Sequence, residues 1–259
     1  SGVRTAPVVL LSPYATPPVA AKTLTPTCDG RLLLIDAAIP AARTLSDDAD
    51  LRLGLRPWMQ DEFKQIVRLC RGLISPDGEP AGWVIDGDVV PSSSRFHPAT
   101  PDAAAWCVFV LLANDALGYD TVAGTPGLSR AQVRNVLTRY AGLAADGIVP
   151  SRTADGIFRH WINPVNGQAK PGWDPEFATL STMKIVMASQ RAARMYPDDV
   201  QIVKASRAIT CGVRNWSRYF RLPGQDLAFK GLSLGGPDTT SWAAGWHEGL
   251  LFVDLAGLE

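Results

Sequence analysis

The sequence predicts a mostly α fold of paired helical hairpins, preceded by a short extended or β-like arm. Three observations predict it: apolar residues recur at helical spacing from Trp58 onward, the helices so marked come in pairs, and one member of each pair is more apolar than its partner. Such pairs stack into an α/α toroid or solenoid, with the more apolar helices inside. The expected division is an arm over residues 1–57 and a helical domain over 58–259.

Each element follows from local chemistry. Residues 1–57 are rich in Pro and Thr and hold two β-like apolar runs, 8–11 and 32–35. Trp58, Phe63, Ile66, Val67, Leu69, Cys70 and Leu73 then mark a first helix over 58–74, which the turn Ser75-Pro76-Asp77-Gly78 ends. A Gly-, Pro- and Ser-rich loop leads to Thr100-Pro101-Asp102, where Thr100 is placed to cap a second helix and Pro101 to begin it. That helix is expected to reach Leu117 and stop at Gly118. Ser129 is the expected cap of a third, over 129–144, with Val133, Val136, Leu137, Tyr140, Leu143 and Ala144 on one stripe. Ser181-Thr182 opens a fourth, inner helix, which Pro197-Asp198 closes. A fifth runs over 200–219, and after a Gly-rich link at 232–237 a sixth begins at Ser241.

Composition narrows the function. The 259 residues carry 25 basic and 25 acidic side chains with no run of like charge, so the footprint of a nucleic-acid binder is missing. The longest apolar runs fall short of the roughly 20 residues a membrane span needs. Cys28, Cys70, Cys107 and Cys211 are scattered without a CxxC pair, and His97, His160 and His247 lie far apart. No zinc ribbon, no metal site and no cofactor is therefore expected. The opening SGVRTAP is compatible with a cytoplasmic protein or with a mature, exported form.

The stretch DGIFRHWINPVNGQAKPGWDPEFATLSTMKIVMA, residues 155–188, concentrates the chemistry. Phe158, His160, Trp161 and Trp173 offer flat faces for pyranose C–H groups, while Asp174 and Glu176 are suited to grip hydroxyls or move protons. The same residues also suit a buried aromatic hairpin capped by solvated acids, with His160 a structural histidine. Further along, Trp246, His247 and Glu248 open an apolar segment; the helix dipole there favours an ionised Glu248. An oligo- or polysaccharide is the expected partner. Asp174, Glu176 and Glu248 are the candidate catalytic carboxylates, and His160, Trp161, Trp173, Trp246 and His247 the candidate binding residues.

Four segments, in order, resemble the glucoamylase-like (α/α)6 glycoside hydrolases, a group that includes endo-β-1,2-glucanases and the cyclising domain of cyclic β-1,2-glucan synthases. ATPDAAAWCVFVLLANDALGY (99–119) and TLSTMKIVMASQRAA (179–193) resemble inner helices of that group. GIFRHWINPVNGQ (156–168) resembles its aromatic turn, and SWAAGWHEGLLFVDLAGL (241–258) its tryptophan and glutamate segment. The resemblance implies an (α/α)6-toroid type of fold and acid/base cleavage or transfer of glycosidic bonds, in the periplasm or outside the cell. It also exposes two departures: Thr179 and Lys184 stand where the family carries Glu and Asp. A cation at Lys184 inside a formerly acidic pocket points to altered chemistry or to pure saccharide binding. Family chains continue well past the last segment, so the ring is expected to be incomplete here. Leu250, Leu251, Phe252, Val253 and Leu255 would then meet a missing segment or a second chain that completes the ring. A helical-repeat scaffold for protein partners is the remaining alternative.

Overall fold

A computed structural model describes residues 57–74, 81–86, 98–169 and 176–214, together with the backbone of 228–229, 231–233, 236–237 and 241–242. The expected arm at 1–57 lies outside the described residues except for Pro57, which begins the first helix, and the apolar flank at 250–255 lies outside them as well. The described chain is mostly α: α1 (Pro57–Leu73), α2 (Pro101–Ala116), the single turn α3 (Tyr119–Val122), α4 (Leu128–Tyr140), α5 (Thr179–Met195) and α6 (Val200–Gly212). None of the described helices is long and apolar enough to cross a membrane.

The helices stack in two layers. The hydroxyl of Tyr140, at the end of α4, donates to the Thr100 carbonyl at the start of α2, at 2.7 Å, so these two helices are antiparallel. The Tyr196 hydroxyl, just past α5, donates to Asp115 near the end of α2, at 2.7 Å, so α2 and α5 are parallel. Asp199 at the start of α6 binds Arg130 and Arg134 in the first turns of α4, which makes α4 and α6 parallel too. α2 and α5 pack on each other as the inner layer, α4 and α6 lie against them outside, and α1 covers α2. This is the alternation of outer and inner helices that the paired apolar patterns predict.

Residue size sets the spacing. On α2 the small residues Ala104, Ala105 and Cys107 are buried beside Val108, Leu111 and Leu112; on α5 Ala188 and Ala192 are buried beside Met183, Ile185 and Val186. Small side chains let two backbones approach while the larger ones interlock and exclude water. Trp83 and Tyr140 meet edge to face, with ring centroids 5.4 Å apart, under the start of α2. Cys70 and Cys107 are free and buried, packed as small apolar side chains, whereas Cys211 is disulfide-bonded.

Helix ends differ from expectation where a distant side chain takes over a local role. Thr100 caps α2 as predicted, its hydroxyl accepting from the Ala103 amide at 3.0 Å. Ser129 does not cap α4: Gly127 occupies that position at φ 78, and the Ser129 amide donates to the buried Asp120 carboxylate at 2.6 Å. Asp120 also takes Arg71 at 2.6 Å and Asn114 at 2.7 Å, so one buried carboxylate links α1, α2 and α4. α4 ends at Tyr140 rather than Ala144, because Gly142 turns the chain at φ 73, and Leu143 leaves the apolar stripe half exposed. Leu69 likewise faces solvent on α1. α5 starts two residues before Ser181, and α6 stops at Gly212 instead of continuing to 219, as Val213 extends and the Arg214 amide donates to the Asp155 carbonyl.

The expected link at 232–237 is instead a short hairpin. β3 (Gly231–Ser233) pairs with β4 (Gly236–Pro237) and with β1 (Phe177–Ala178), Leu232 opposite Phe177. Ser241 and Trp242, placed by sequence in a sixth helix, form β5 (Ser241–Trp242) against β2 (Ala228–Phe229). Residues 243–259 lie outside the described residues.

Asp199 is the junction of the outer layer, and it carries a pH dependence. Burial raises its carboxyl pKa, but hydrogen bonds from Arg134, the Ile202 amide and Arg130 outweigh burial and hold it at about 2, against an ordinary 3.8. A value depressed in the folded state contributes stability above the unfolded value, and that contribution is lost as pH falls through the folded one. Asp199→Asn is expected to lower unfolding free energy by about 2 kcal/mol at neutral pH. It should also flatten the loss of stability between pH 3.8 and about 2, the interval between the ordinary and the folded values. Urea unfolding across a pH series measures both.

Candidate functional site

One extended segment, residues 158–162, ties the starts of the two inner helices together. Ala99 and Ile162 exchange backbone hydrogen bonds, each at 2.9 Å, just before α2 begins. Earlier in the segment, the Ala178 amide donates to the Phe158 carbonyl and the His160 amide to the Glu176 carbonyl, both at 2.9 Å, just before α5 begins. The Phe158 amide donates to the Thr182 hydroxyl, which in turn donates to the Ala178 carbonyl, at 2.9 and 2.7 Å. A bend at His160 and Trp161 decides which way the side chains go: Phe158 and Ile162 are fully buried, and His160 and Trp161 between them are only partly covered.

Two arginines underlie the segment. The Arg152 guanidinium lies 4.0 Å above the Phe158 ring and donates to the Tyr140 carbonyl; burial lowers its pKa to about 10, which leaves it charged at neutral pH. Arg159 lies 4.3 Å above the Phe177 ring, and burial lowers its pKa as well. Cation–π contact offsets part of the cost of taking these charges out of water.

Three of the eight residues expected at a site come together on this segment. His160 Nδ1 lies 3.3 Å from Glu176 Oε2, and the two side chains are each about a quarter exposed, at 27 and 24%. The His160 and Trp161 rings stack at 4.2 Å with 19° between their planes. A flat aromatic surface therefore sits beside a carboxylate and imidazole in hydrogen-bond contact, a pair able to accept a hydroxyl or relay a proton. Trp173, Asp174, Trp246, His247 and Glu248 lie outside the described residues. Among those that are described, no group of His, Cys, Asp and Glu is arranged to hold a metal ion.

Thr179 is fully buried at the first position of α5, where a side chain cannot meet a soluble ligand. Lys184 is accessible, and its ammonium lies 2.7 Å from the Asp102 carboxylate in the first turn of α2. Sequence reading treated Asp102 only as a helix-start acid. Its usable signal is position: an acid in the first turn of one inner helix stands level with the second turn of its parallel neighbour, where Lys184 sits.

No family model and no curated protein matches the sequence. Among solved structures, the chain is similar to cellobiose 2-epimerase from Spirochaeta thermophila, at 13% identity and a TM-score of 0.48, over 84% of this chain and 51% of that one. It is similar also to a sugar epimerase from a ruminal bacterium, at 11% identity and a TM-score of 0.48, with the same two coverages. The chain thus spans about half the length of each.

Gly156 sets the entry angle of the segment. Its φ is +85, and an added Cβ would lie 1.9 Å from the Gly212 carbonyl oxygen at the end of α6. Gly124, at φ +72, has open space around it. Gly156→Ala is therefore expected to lose at least about 3 kcal/mol of stability, and Gly124→Ala about 1 kcal/mol, the backbone cost alone. Thermal unfolding of the two variants side by side checks the difference.

Proposed function

We propose that this chain is a carbohydrate-active protein, a glycoside hydrolase or transglycosylase of the α/α-toroid type that acts on a bacterial glucan or another polysaccharide. The observation that carries the reading is the stacked His160–Trp161 face beside Glu176, held where the two inner helices begin. An indole face receives the apolar C–H side of a pyranose, while a carboxylate and an imidazole at its rim bind hydroxyls and transfer a proton. Hydrolysis ordinarily uses a second carboxyl group as well, one to protonate the leaving oxygen and one to activate water or attack carbon. Asp174 and Glu248 remain the proposed second carboxylates.

One observation favours a second reading, a catalytically silent saccharide-binding subunit. Lys184 stands where the resembled family carries Asp, and its ion pair engages Asp102, a carboxylate in the first turn of α2. A chain that kept the aromatic face and lost acids binds sugar without turning it over.

Product analysis separates the two. The purified chain is incubated with linear and cyclic β-1,2-glucan and a panel of other polysaccharides, beside Glu176→Gln and Glu248→Gln. The expected result is turnover that falls by at least about 100-fold in Glu176→Gln, the scale of a lost acid/base group. Binding without turnover in the parent chain selects the silent subunit, and neither binding nor turnover removes both readings.

We propose further that the protein works in the periplasm or outside the cell. The disulfide at Cys211 supports this, since such bonds persist in oxidising compartments. Mass-spectrometric mapping without reduction is expected to find Cys211 in a bridged peptide while Cys70 and Cys107 alkylate after denaturation; an alkylated Cys211 would remove the support.

A further inference from the structure

α2 carries a second aromatic surface that the candidate site does not use. Trp106 and Phe109 are 44 and 39% exposed, although α2 is an inner helix whose Val108 and Leu111 are fully buried. With Asp102 they follow the i, i+4, i+7 spacing of one helix face. The stripe begins at the Asp102–Lys184 ion pair and runs away from it along α2. On the parallel α5, Lys184, Met187 and Arg191 follow the i, i+3, i+7 spacing of one helix face and are all partly exposed. Two inner helices thus present facing stripes, aromatic on one side and cationic at both ends of the other.

The surface is continuous with the candidate site. The Asp102–Lys184 pair joins the first turn of α2 to the second turn of α5, and the 158–162 segment that carries His160 and Trp161 bonds to the residues just before the two helices begin. Its chemistry matches a sugar chain better than an apolar partner: flat rings for C–H faces, with an ammonium, a carboxylate and a guanidinium to meet hydroxyls. From Asp102 to Phe109 the helix rises about 10 Å, room for sugar units beyond those at His160 and Trp161.

We propose that Trp106 and Phe109 form a stacking platform for the continuation of a neutral saccharide chain whose first units occupy the His160–Trp161–Glu176 site. The proposal rests on the saccharide reading above and adds the direction in which the chain runs: down the inner layer, along α2.

Calorimetric titration with gluco-oligosaccharides of β-1,2, β-1,3, β-1,4 and α-1,4 linkage, each as disaccharide and heptasaccharide, tests it. Trp106→Ala is expected to weaken heptasaccharide binding roughly 3- to 10-fold and to leave disaccharide binding unchanged, with Trp106→Phe restoring most of the loss. Leu69→Ala, equally exposed but on α1, serves as the control for surface truncation. Full heptasaccharide affinity in Trp106→Ala overturns the platform and leaves the saccharide reading standing; no binding of any oligosaccharide by the parent chain overturns both. Hydroxyl-radical footprinting of the free protein gives the independent check. Trp106 is expected to oxidise readily and to be protected by heptasaccharide, whereas protection already present in the free protein would assign this face to another segment of the chain and overturn the platform.

Discussion

The fold depends on the backbone pairing of residues 158–162 with the lead-ins of α2 and α5. Four hydrogen bonds, two to Ala99 and one each with Glu176 and Ala178, fix the height at which both inner helices start. Each contributes only about 1 kcal/mol net, but leaving such groups buried and unpaired costs about 1–3 kcal/mol apiece. The pairing is therefore all or nothing. Thr100 then caps α2 while its carbonyl receives Tyr140, and Thr182 receives the segment from the side of α5. Outer helix, inner helices and extended segment share one set of polar partners at one end of the protein.

The candidate site lies there for the same reason. A site needs side chains held at fixed separations, and parallel inner helices that begin at one level supply them. Phe158 and Ile162 are driven inward by their size, and His160 and Trp161 between them are left partly exposed, the His160 amide already paired with the Glu176 carbonyl. Lys184 and Asp102 meet across the helices because both sit near a helix start and those starts are level.

Local signals in the sequence were reliable where one element determines itself. The apolar periodicity located α1, Thr100-Pro101 marked the start of α2, Ser181-Thr182 fell within two residues of the start of α5, and the clustering of rings at 158–161 pointed to the candidate site. Signals failed where a partner far along the chain intervened. Ser129 has the residue type of a cap, but buried Asp120 takes its amide. The Gly-rich stretch at 232–237 reads as a link, yet β1 offers it an edge on which to pair. Asp102 reads as a helix-start acid until Lys184 arrives from 82 positions on, a separation set by the numbering of the two residues. The α2 stripe of Trp106 and Phe109 was hidden by the apolar character of the helix all round, which shows no periodic contrast to mark its open side.

The two anchor points of the extended segment also differ in the length of chain they close. On the α5 side, Phe158 reaches Thr182 across 24 positions and His160 reaches Glu176 across 16; on the α2 side, Ile162 pairs with Ala99, 63 positions back by their numbering. Loop-closure entropy grows with the logarithm of length, so the longest closure costs about 1.2 kcal/mol more than the shortest. The imidazole and carboxylate therefore belong to the part of the chain that closes on itself most cheaply, and Asp102 joins only when α2 docks.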